Sequence, residues 1–241
     1  MTIPRLFQKY PLKVDDTHCL DDTGFHHLIR VLRHRINEPV ILFNDEGGEY
    51  HGRLTKVTNK EAYIHIQQFL PREKESPLTI HLYQGIARGE KMDFILQKST
   101  ELGVTHITPL YTERSNVKLS GQRLIKRQQH WQQIIISACE QCGRNRLPTL
   151  HPPMPIEDAF RDSNATAKYL FHLSGNTPLT APLPSHIAIA IGAEGGFSPR
   201  EEEQARLHHW QCITLGPRIL RTETASLAAL ATVQWLAGDF C

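Results

Sequence analysis

The sequence predicts an α/β protein: a mostly parallel sheet covered by helices on both faces and preceded by a smaller β domain. After residue 77, strand-like runs alternate with helix-like segments, which is typical of parallel sheets with helical crossovers. Before residue 70, short strand-like runs follow one another across turn signals, which indicates a small antiparallel β-barrel or sheet. We therefore expect two domains.

The N-terminal domain has three clear strand signals and one helical insertion. Residues 40–43 form a short apolar run that stops at the turn-forming residues 44–48. Residues 50–58 and 62–69 follow as two further strands. Residues 25–35 have helical character and interrupt the β pattern.

A linker is predicted at residues 70–77, which are polar, charged and bracketed by Pro71 and Pro77. Segments of this composition are typical of domain boundaries. We place the first domain at residues 1–72 and the second at residues 73–241.

The second domain combines helices and strands along its whole length. Gly103 and Gly143 stand where two amphipathic helices are expected to end. Ser198 to Glu201 form a capping box with proline at the first helical position, so a helix begins at Pro199. The predicted strands are residues 79–83, 106–111, 168–173, 187–191 and 212–215, and the other predicted helices are residues 90–102, 124–142 and 222–236.

The charge is arranged in clusters although its sum is small. The net charge of +2 neither requires nor excludes a nucleic-acid partner. Residues 26–35 hold three arginines and three histidines without an acid, and residues 118–130 hold four lysines and arginines without one. Such clusters can neutralise phosphates, although a solvated helix face would have the same composition.

The composition predicts a soluble, cytoplasmic protein with no membrane span. The N-terminus has no apolar signal segment, and the least charged helical stretch is too short to cross a bilayer. The five cysteines are odd in number and scattered, which favours reduced thiols over a disulfide framework. Cys139 and Cys142 lie in one helix without a second Cys or His pair, so we expect no metal site.

A glycine-rich loop follows the predicted strand at residues 187–191. It contains Gly192, Glu194, Gly195 and Gly196 and leads into the capped helix. Glycines allow a ligand to approach the backbone closely, and ligands of α/β sheets bind beyond the carboxyl ends of strands. A sharp turn is the structural alternative, but it needs fewer glycines.

A second loop, residues 215–225, has the sequence LGPRILRTETA and also joins a strand to a helix. Arg221 and Glu223 lie near the start of that helix, where backbone donors and the positive end of the dipole converge. A structural cap with an ion pair is the alternative. Neither loop matches the glycine-rich dinucleotide motif, the phosphate loop or the serine nucleophile elbow.

These loops, GAEGGFS at residues 192–198 and LGPRILRTETA, resemble those of the RsmE family of SPOUT-class RNA methyltransferases. Further similarity lies in HLIRVLR at residues 27–33, QKSTELGV at 97–104, ERS at 113–115 and EQCGR at 140–144. The resemblance extends over nearly the whole chain. Ala193, Cys142 and Asn37 depart from the residues usual in the family, which are proline, serine and glycine.

The resemblance implies a PUA-like N-terminal β-barrel domain, a trefoil-knotted SPOUT methyltransferase domain and a homodimer. It also implies S-adenosylmethionine as the methyl donor and N3 of uridine 1498 in 16S ribosomal RNA of the small subunit as the target. Two alternatives remain: a non-catalytic RNA-binding ribosome-assembly factor, and a SPOUT methyltransferase that acts on another RNA.

Candidate roles follow for individual residues: the resemblance implies the cofactor-binding loops, the chemistry of the implied reaction suggests the catalytic residues, and the charge clusters suggest most of the RNA-binding residues. The catalytic candidates are Arg221, Arg114 and Glu223, with Glu194 as a second candidate base. The RNA-binding candidates are Arg30, Arg33, Arg35 and Arg144. The cofactor-binding candidates are Leu173, Gly175, Ile191, Gly192, Glu194, Gly195, Gly196, Leu215, Gly216, Ile219, Leu220, Thr224 and Ala225.

Overall fold

The computed structural model describes residues 3–115, 117–175 and 177–240, so Cys241 lies outside the described residues. The chain folds as two compact units. Unit 1 comprises Met1–Glu75 together with Cys139–Leu147, and unit 2 comprises Ser76–Ala138 and Pro148–Cys241. The predicted domain boundary near residue 72 did not anticipate that residues 139–147 pack with the N-terminal unit.

Unit 1 is built on a five-stranded sheet with the order β1-β3-β4-β5-β2. β1 is parallel to β3, and the other neighbouring strands are antiparallel. Its core contains the fully buried Leu28, Leu42, Leu54 and Ile64. The strands are β1 (Arg5–Phe7), β2 (Thr17–Cys19), β3 (Pro39–Phe43), β4 (Glu49–Val57) and β5 (Ala62–Leu70).

The helical insertion of unit 1 is shorter than predicted for residues 25–35. Helix α1 (Asp22–Phe25) continues as a π-helical stretch, His26–Val31, and there the helix ends. Asp21 caps the start of α1 by accepting a hydrogen bond from Gly24 N. Arg33 has a left-handed φ of 54°, which is incompatible with a continuing helix.

Residues 139–147 bind the first part of the predicted linker, which belongs to unit 1. Asn145 donates to the carbonyl of Arg72, and the Arg144 guanidinium binds the Glu75 carboxylate at 2.6 Å. Arg144 is only 4% exposed. A buried, paired guanidinium is not available to an RNA phosphate, so this geometry argues against the RNA-binding role predicted for Arg144.

Unit 2 contains a parallel sheet, as the alternating pattern predicted, with the order β12-β10-β11-β6-β7-β8 and β9 beside β7. β10 and β12 end two residues earlier than expected, at Phe171 and Ile213. The implied knot stays a prediction. The strands are β6 (Thr79–Gly85), β7 (His106–Tyr111), β8 (Thr149–Leu150), β9 (Met154–Pro155), β10 (Ala167–Phe171), β11 (His186–Ile191) and β12 (Gln211–Ile213).

Helices cover both faces of this sheet. Ala188 and Ala190 of β11 pack in a core with Phe160 and Trp210, and the alternate residues Ile187 and Ile189 are equally buried on the other face. None of the described helices is long and apolar enough to span a membrane. The helices are α2 (Glu90–Glu101), α3 (Gly121–Cys142), α4 (Ile156–Asp162), α5 (Pro199–Leu207) and α6 (Thr222–Ala237).

Helix α5 confirms the capping box predicted from the sequence. The Ser198 hydroxyl accepts from the Glu201 amide, and the Glu201 carboxylate accepts from the Ser198 amide at 2.7 Å. Helix α4 has only seven residues, and it was not predicted because so short a segment has little amphipathic signal.

Three histidines of unit 2 pack together at the sheet. The ring of His81 stacks on Tyr83 with centroids 3.9 Å apart, and His106 Nδ1 lies 3.2 Å from His151 Nε2. Burial, reinforced by the neighbouring histidines, lowers the pKa of His81 to about 3. Burial also lowers the pKa of His106 and His151. The cluster is therefore neutral at pH 7.

We expect this cluster to destabilise the protein below pH 6.5. In that range the unfolded chain binds protons that folded His81 does not, so the free energy of unfolding falls by at most about 1.4 kcal/mol per pH unit for this group. His81→Gln, which does not titrate, should reduce the slope measured by urea unfolding between neutral pH and about pH 4.5. His208→Gln is the control; equal slopes in both variants would contradict the prediction.

Candidate functional site

Three loops meet at one edge of the parallel sheet of unit 2. They follow the neighbouring strands β10, β11 and β12 and comprise residues 172–175, 192–198 and 214–221. Parallel strands place their carboxyl ends at the same edge, which is where ligands of α/β sheets bind. The three loops enclose a cavity of about 430 Å³, called here the loop cavity.

Most of the predicted cofactor-binding and catalytic residues line the loop cavity, whereas Gly175, Glu223 and Thr224 do not. Thr224 is exposed on the first turn of α6. The predicted residues that line the cavity are Arg114, Leu173, Ile191, Gly192, Glu194, Gly195, Gly196, Leu215, Gly216, Ile219, Leu220, Arg221 and Ala225.

Gly175 brings two of the loops together without reaching the cavity. A Cβ atom at this position would lie 2.5 Å from the carbonyl carbon of Ile213. The His172 amide also donates to the Ile213 carbonyl at 2.9 Å. The role of Gly175 is therefore to allow the close approach of two backbone segments.

Sequence reasoning missed several residues that line the cavity. Phe197 belongs to the glycine-rich loop that the sequence did identify, so its position could have been inferred, and Phe171 ends the strand before the loop of Leu173. Lys91 lies on α2, about a hundred residues away in sequence from the glycine-rich loop, and no local pattern connects the two. The others are His172, Ala193, Thr214, Arg218 and Thr222.

A buried hydrogen-bond network holds the glycine-rich loop in place. Thr222 donates to the Gly192 carbonyl at 2.5 Å and accepts from Gln84 Nε2 at 3.0 Å. Ser226 donates to Gln84 Oε1 at 2.6 Å. Gln84 and Ser226 are completely buried. The network therefore connects β6, the glycine-rich loop and the first turn of α6.

The glycines of this loop are explained first by contacts within the protein. A Cβ atom on Gly192 would lie 2.9 Å from Gly196, and one on Gly195 would lie 2.8 Å from the Cβ of Arg114. Gly196 has a left-handed φ of 64°. The sequence interpretation assigned these glycines to close ligand approach; the structure shows that tight packing of the loop itself already requires them.

Lys91 lies between two carboxylates at the cavity. Its Nζ is 3.5 Å from Glu194 Oε1 and 4.0 Å from Glu223 Oε2. Burial raises the pKa of Glu194, but hydrogen bonds from the Arg88 amide and from its own amide, together with Lys91, outweigh burial and lower it. Glu223 Oε2 is buried and has no hydrogen-bond partner among the described residues.

Three exposed arginines line the cavity: Arg114, Arg218 and Arg221. Arg114 donates from Nη1 to the Gly195 carbonyl at 3.3 Å, and Arg221 is the N-cap residue of α6. No side chain caps this helix, so its first amides are free to meet a ligand. Among the described residues, no group of three His, Cys, Asp or Glu side chains is arranged to bind a metal.

Arg30, Arg33 and Arg35 all lie in unit 1 and are exposed. Arg30 donates to the Asn59 carbonyl at 3.2 Å, and its guanidinium lies over the Phe25 ring. No ion pair joins any of the three to a carboxylate within the described part of the chain. They remain available to a polyanion.

Two family models match the chain. Residues 74–234 match an RNA methyltransferase domain, and residues 20–67 match an RNA methyltransferase PUA domain. The chain is 36% identical to ribosomal RNA small subunit methyltransferase E of Buchnera aphidicola, over 99% of this chain and 95% of that protein. It is 28% identical to the Bacillus subtilis protein of the same name, over 94% and 93% of the two chains.

Two solved structures cover the whole chain. One is a ribosomal RNA small subunit methyltransferase E from Neisseria gonorrhoeae bound to S-adenosylmethionine, with a TM-score of 0.93 and 40% identity. The other is a Legionella pneumophila protein described as a methyltransferase in complex with the same cofactor, with a TM-score of 0.96 and 37% identity. Both alignments cover 100% of each chain.

We expect Thr222→Val to loosen the glycine-rich loop. Valine has nearly the same shape but lacks the hydroxyl that binds the Gly192 carbonyl and Gln84 Nε2. Loss of these two hydrogen bonds should lower the free energy of unfolding by about 1–3 kcal/mol. Thr232→Val is the matched control, because that hydroxyl bonds only to the Ala228 carbonyl of the same helix. Equal urea midpoints for the two variants would contradict this role of the network.

Proposed function

This chain belongs to the family of ribosomal RNA small subunit methyltransferase E, and we propose that it methylates N3 of a uridine in 16S ribosomal RNA with S-adenosylmethionine as donor. By the resemblance of its motifs, the target is uridine 1498 of the small subunit. The observation that carries the proposal is the loop cavity at the ends of β10, β11 and β12, since it presents the family's three loops together.

The residues of the loop cavity fit S-adenosylmethionine. A volume of about 430 Å³ lies within the range of small-molecule sites, roughly 300–1,000 Å³. Leu173 and Ile219 line it and are 54% and 81% exposed, although both side chains are large and apolar. A bound ligand would cover such side chains. Leu215 and Leu220 add apolar walls, and the loop backbones offer donors and acceptors for adenine.

S-adenosylmethionine supplies an activated methyl group; the chain must position the uracil and receive its imino proton. The new bond joins N3 to the methyl carbon as the bond from sulfur to that carbon breaks. Arg221 and Arg114 stabilise the negative charge that develops on the uracil carbonyl oxygens. These two guanidinium groups favour loss of the imino proton, because the negative charge on the uracil is greatest once N3 is deprotonated and falls as the methyl group is transferred.

Glu223 is the better proton acceptor of the two candidate carboxylates. Glu194 already accepts from the Arg88 amide and contacts Lys91, and its lowered pKa makes it a weak base. Glu223 does not line the loop cavity, but its buried Oε2 has no hydrogen-bond partner among the described residues and can still accept one, next to Lys91, which does line the cavity. Lys91, 4.0 Å away, holds this carboxylate beside the cavity.

The PUA domain provides an RNA-binding surface in this proposal. Arg30, Arg33 and Arg35 are exposed there, and each can neutralise one backbone phosphate. Phosphate contacts of this kind give affinity and position, and the target base is read at the loop cavity. Because this substrate is ribosomal RNA, we infer that the protein acts in the cytoplasm. A non-catalytic RNA-binding factor would need the same arginines but would not need the loop cavity.

Helix α6 presents a face suited to a second copy of the chain. Leu227, Ala228 and Ala231 are partly exposed along one side of the helix, and Trp235 follows at the same side with 63% of its surface exposed. A stripe of small and apolar residues ending in an exposed tryptophan favours burial in an interface. We infer that the protein is a homodimer in which this face contributes to the contact.

Light scattering at micromolar concentration should give twice the mass of the 27.5 kDa chain. Trp235→Glu should shift the mass toward the monomer, because the interface would then bury a charge without a partner. Leu207→Glu, which changes another exposed apolar residue on α5, is the matched control. A monomeric wild-type protein would refute the dimer.

Chemistry and RNA affinity should be affected by different variants. Arg221→Ala should lower single-turnover methylation about a hundredfold or more while RNA binding is largely kept. Arg30, Arg33 and Arg35 changed together to Ala should weaken RNA binding and lower the slope of log affinity against log salt by about 0.7–0.9 per lost phosphate contact. Cofactor affinity, measured by calorimetry, should stay unchanged in the triple variant.

Arg200→Ala is the charge-matched control for Arg221→Ala, since Arg200 is exposed on α5 and does not line the loop cavity. Normal methylation by Arg221→Ala would make Arg221 a structural cap. Normal RNA binding by the triple variant would exclude the N-terminal surface. Failure of the folded wild-type protein to bind S-adenosylmethionine would favour the non-catalytic alternative, and mass spectrometry of the modified nucleoside identifies the methylated position.

A further inference from the structure

A second cavity of about 540 Å³ lies in unit 2 and is lined by four cationic side chains. They come from separate places in the chain: Arg88 precedes α2, Lys118 precedes α3, and Arg123 and Arg127 lie on α3. No described acidic residue lines this cavity. We call it the basic cavity.

Three of the four cations have no acidic partner. In the described part of the chain, no ion pair involves Arg88, Lys118 or Arg123. Arg127 Nη1 lies 3.9 Å from Asp93 Oδ1, and Asp93 also binds His130 at 2.8 Å. Like charges that converge on one concave volume repel one another unless an anion joins them. The arrangement therefore favours an anionic ligand.

Trp131 gives an independent indication of a ligand. It lines the basic cavity, is only 1% exposed, and its indole Nε1–H has no hydrogen-bond partner among the described residues. Buried indole groups usually find an acceptor. The other lining residues supply backbone and apolar surface or more cations, so a ligand oxygen is a suitable acceptor.

The start of α2 contributes further donors. Gly89 lines the basic cavity and is the N-cap residue, with a φ of 56° and no side-chain cap. A Cβ atom on Gly89 would meet nothing within 4 Å, so the space next to the backbone is open. Uncapped first-turn amides and the positive end of the helix dipole both favour an anion.

The two cavities share a wall. Arg88 lines the basic cavity, and its amide donates to Glu194 Oε1 of the loop cavity at 3.0 Å. Lys91 lines the loop cavity and its neighbour Met92 lines the basic cavity. The two cavities are therefore adjacent at residues 88–92.

We propose that the basic cavity binds a backbone phosphate of the RNA strand next to the target uridine, which anchors that strand during methylation. The proposal rests on the proposed function for its choice of RNA. Phosphate chemistry alone would also allow a free phosphate compound, and the experiment separates these two sources. Lys118, Arg123 and Arg88 hold the phosphate charge, and Trp131 donates to one of its oxygens.

Lys118→Ala and Lys126→Ala form a matched pair for the test. Both lysines are exposed in the same stretch of chain, but only Lys118 lines the basic cavity. The probe is end-labelled, protein-free small-subunit ribosomal RNA, titrated at several salt concentrations. Lys118→Ala should weaken binding roughly three- to tenfold at low salt and lower the salt slope by about 0.7–0.9, whereas Lys126→Ala should change neither.

Trp131→Phe tests the indole donor, since it keeps an aromatic ring and removes the N–H. It should weaken RNA binding while calorimetric affinity for S-adenosylmethionine stays at the wild-type value, and thermal unfolding verifies that the variant folds. In a second arm, inorganic pyrophosphate competes with the labelled RNA. Competition only at concentrations far above those of the RNA supports a strand-bound phosphate.

Equal RNA affinities of Lys118→Ala and Lys126→Ala would overturn the proposal, even if the wild-type protein methylates RNA normally. Tight pyrophosphate binding that depends on Lys118, without any effect on RNA affinity, would also overturn it. Loss of RNA affinity specific to Lys118→Ala, in a protein that neither binds S-adenosylmethionine nor methylates RNA, would support the basic cavity and refute the proposed function. The two failures are therefore distinguishable.

Discussion

The functional edge of unit 2 depends on one buried hydrogen-bond network, Ser226–Gln84–Thr222–Gly192. Its members come from β6, the glycine-rich loop and α6, so a change in any one alters the position of the others. Because Gln84 and Ser226 are fully buried, an unpaired group in the network has no water to compensate it. The glycine-rich loop is thereby held in a conformation that its sequence alone would leave flexible.

The two cavities of unit 2 differ in the charged residues that line them. The loop cavity combines apolar walls with Glu194 and four cationic residues, one of which, Lys91, also lies 4.0 Å from Glu223 Oε2 beside the cavity. The basic cavity holds cations without lining acids. A methyl donor with a polar amino-acid end suits the first environment, and a phosphodiester suits the second.

The features predicted well from the sequence are those set by local chemistry. The capping box of α5, the strand His106–Tyr111 and the loops after β11 and β12 each follow from a short run of residues. The features missed depend on distant partners. Arg144 was predicted to bind RNA, but it is buried against Glu75. Lys91 lies on the predicted helix α2, and no local pattern connects that helix with the glycine-rich loop. Gly175 and Thr224 belong to the predicted loops but do not line the cavity. Gly175 packs against the backbone of Ile213, and Thr224 is exposed to solvent.

Unit 1 is discontinuous in sequence, since Cys139–Leu147 completes what Met1–Glu75 begins. The Phe7 amide donates to the Glu140 carboxylate at 3.0 Å, and Asp45 accepts from the Leu147 amide at 2.6 Å. During synthesis the ribosome therefore releases the N-terminal strands well before their last partners exist. Domains usually fold in the order of translation, but unit 1 is complete only after the first stretch of unit 2, Ser76–Ala138, has been made. An isolated fragment ending near residue 75 would lack the hydrogen bonds to Glu140 and Leu147.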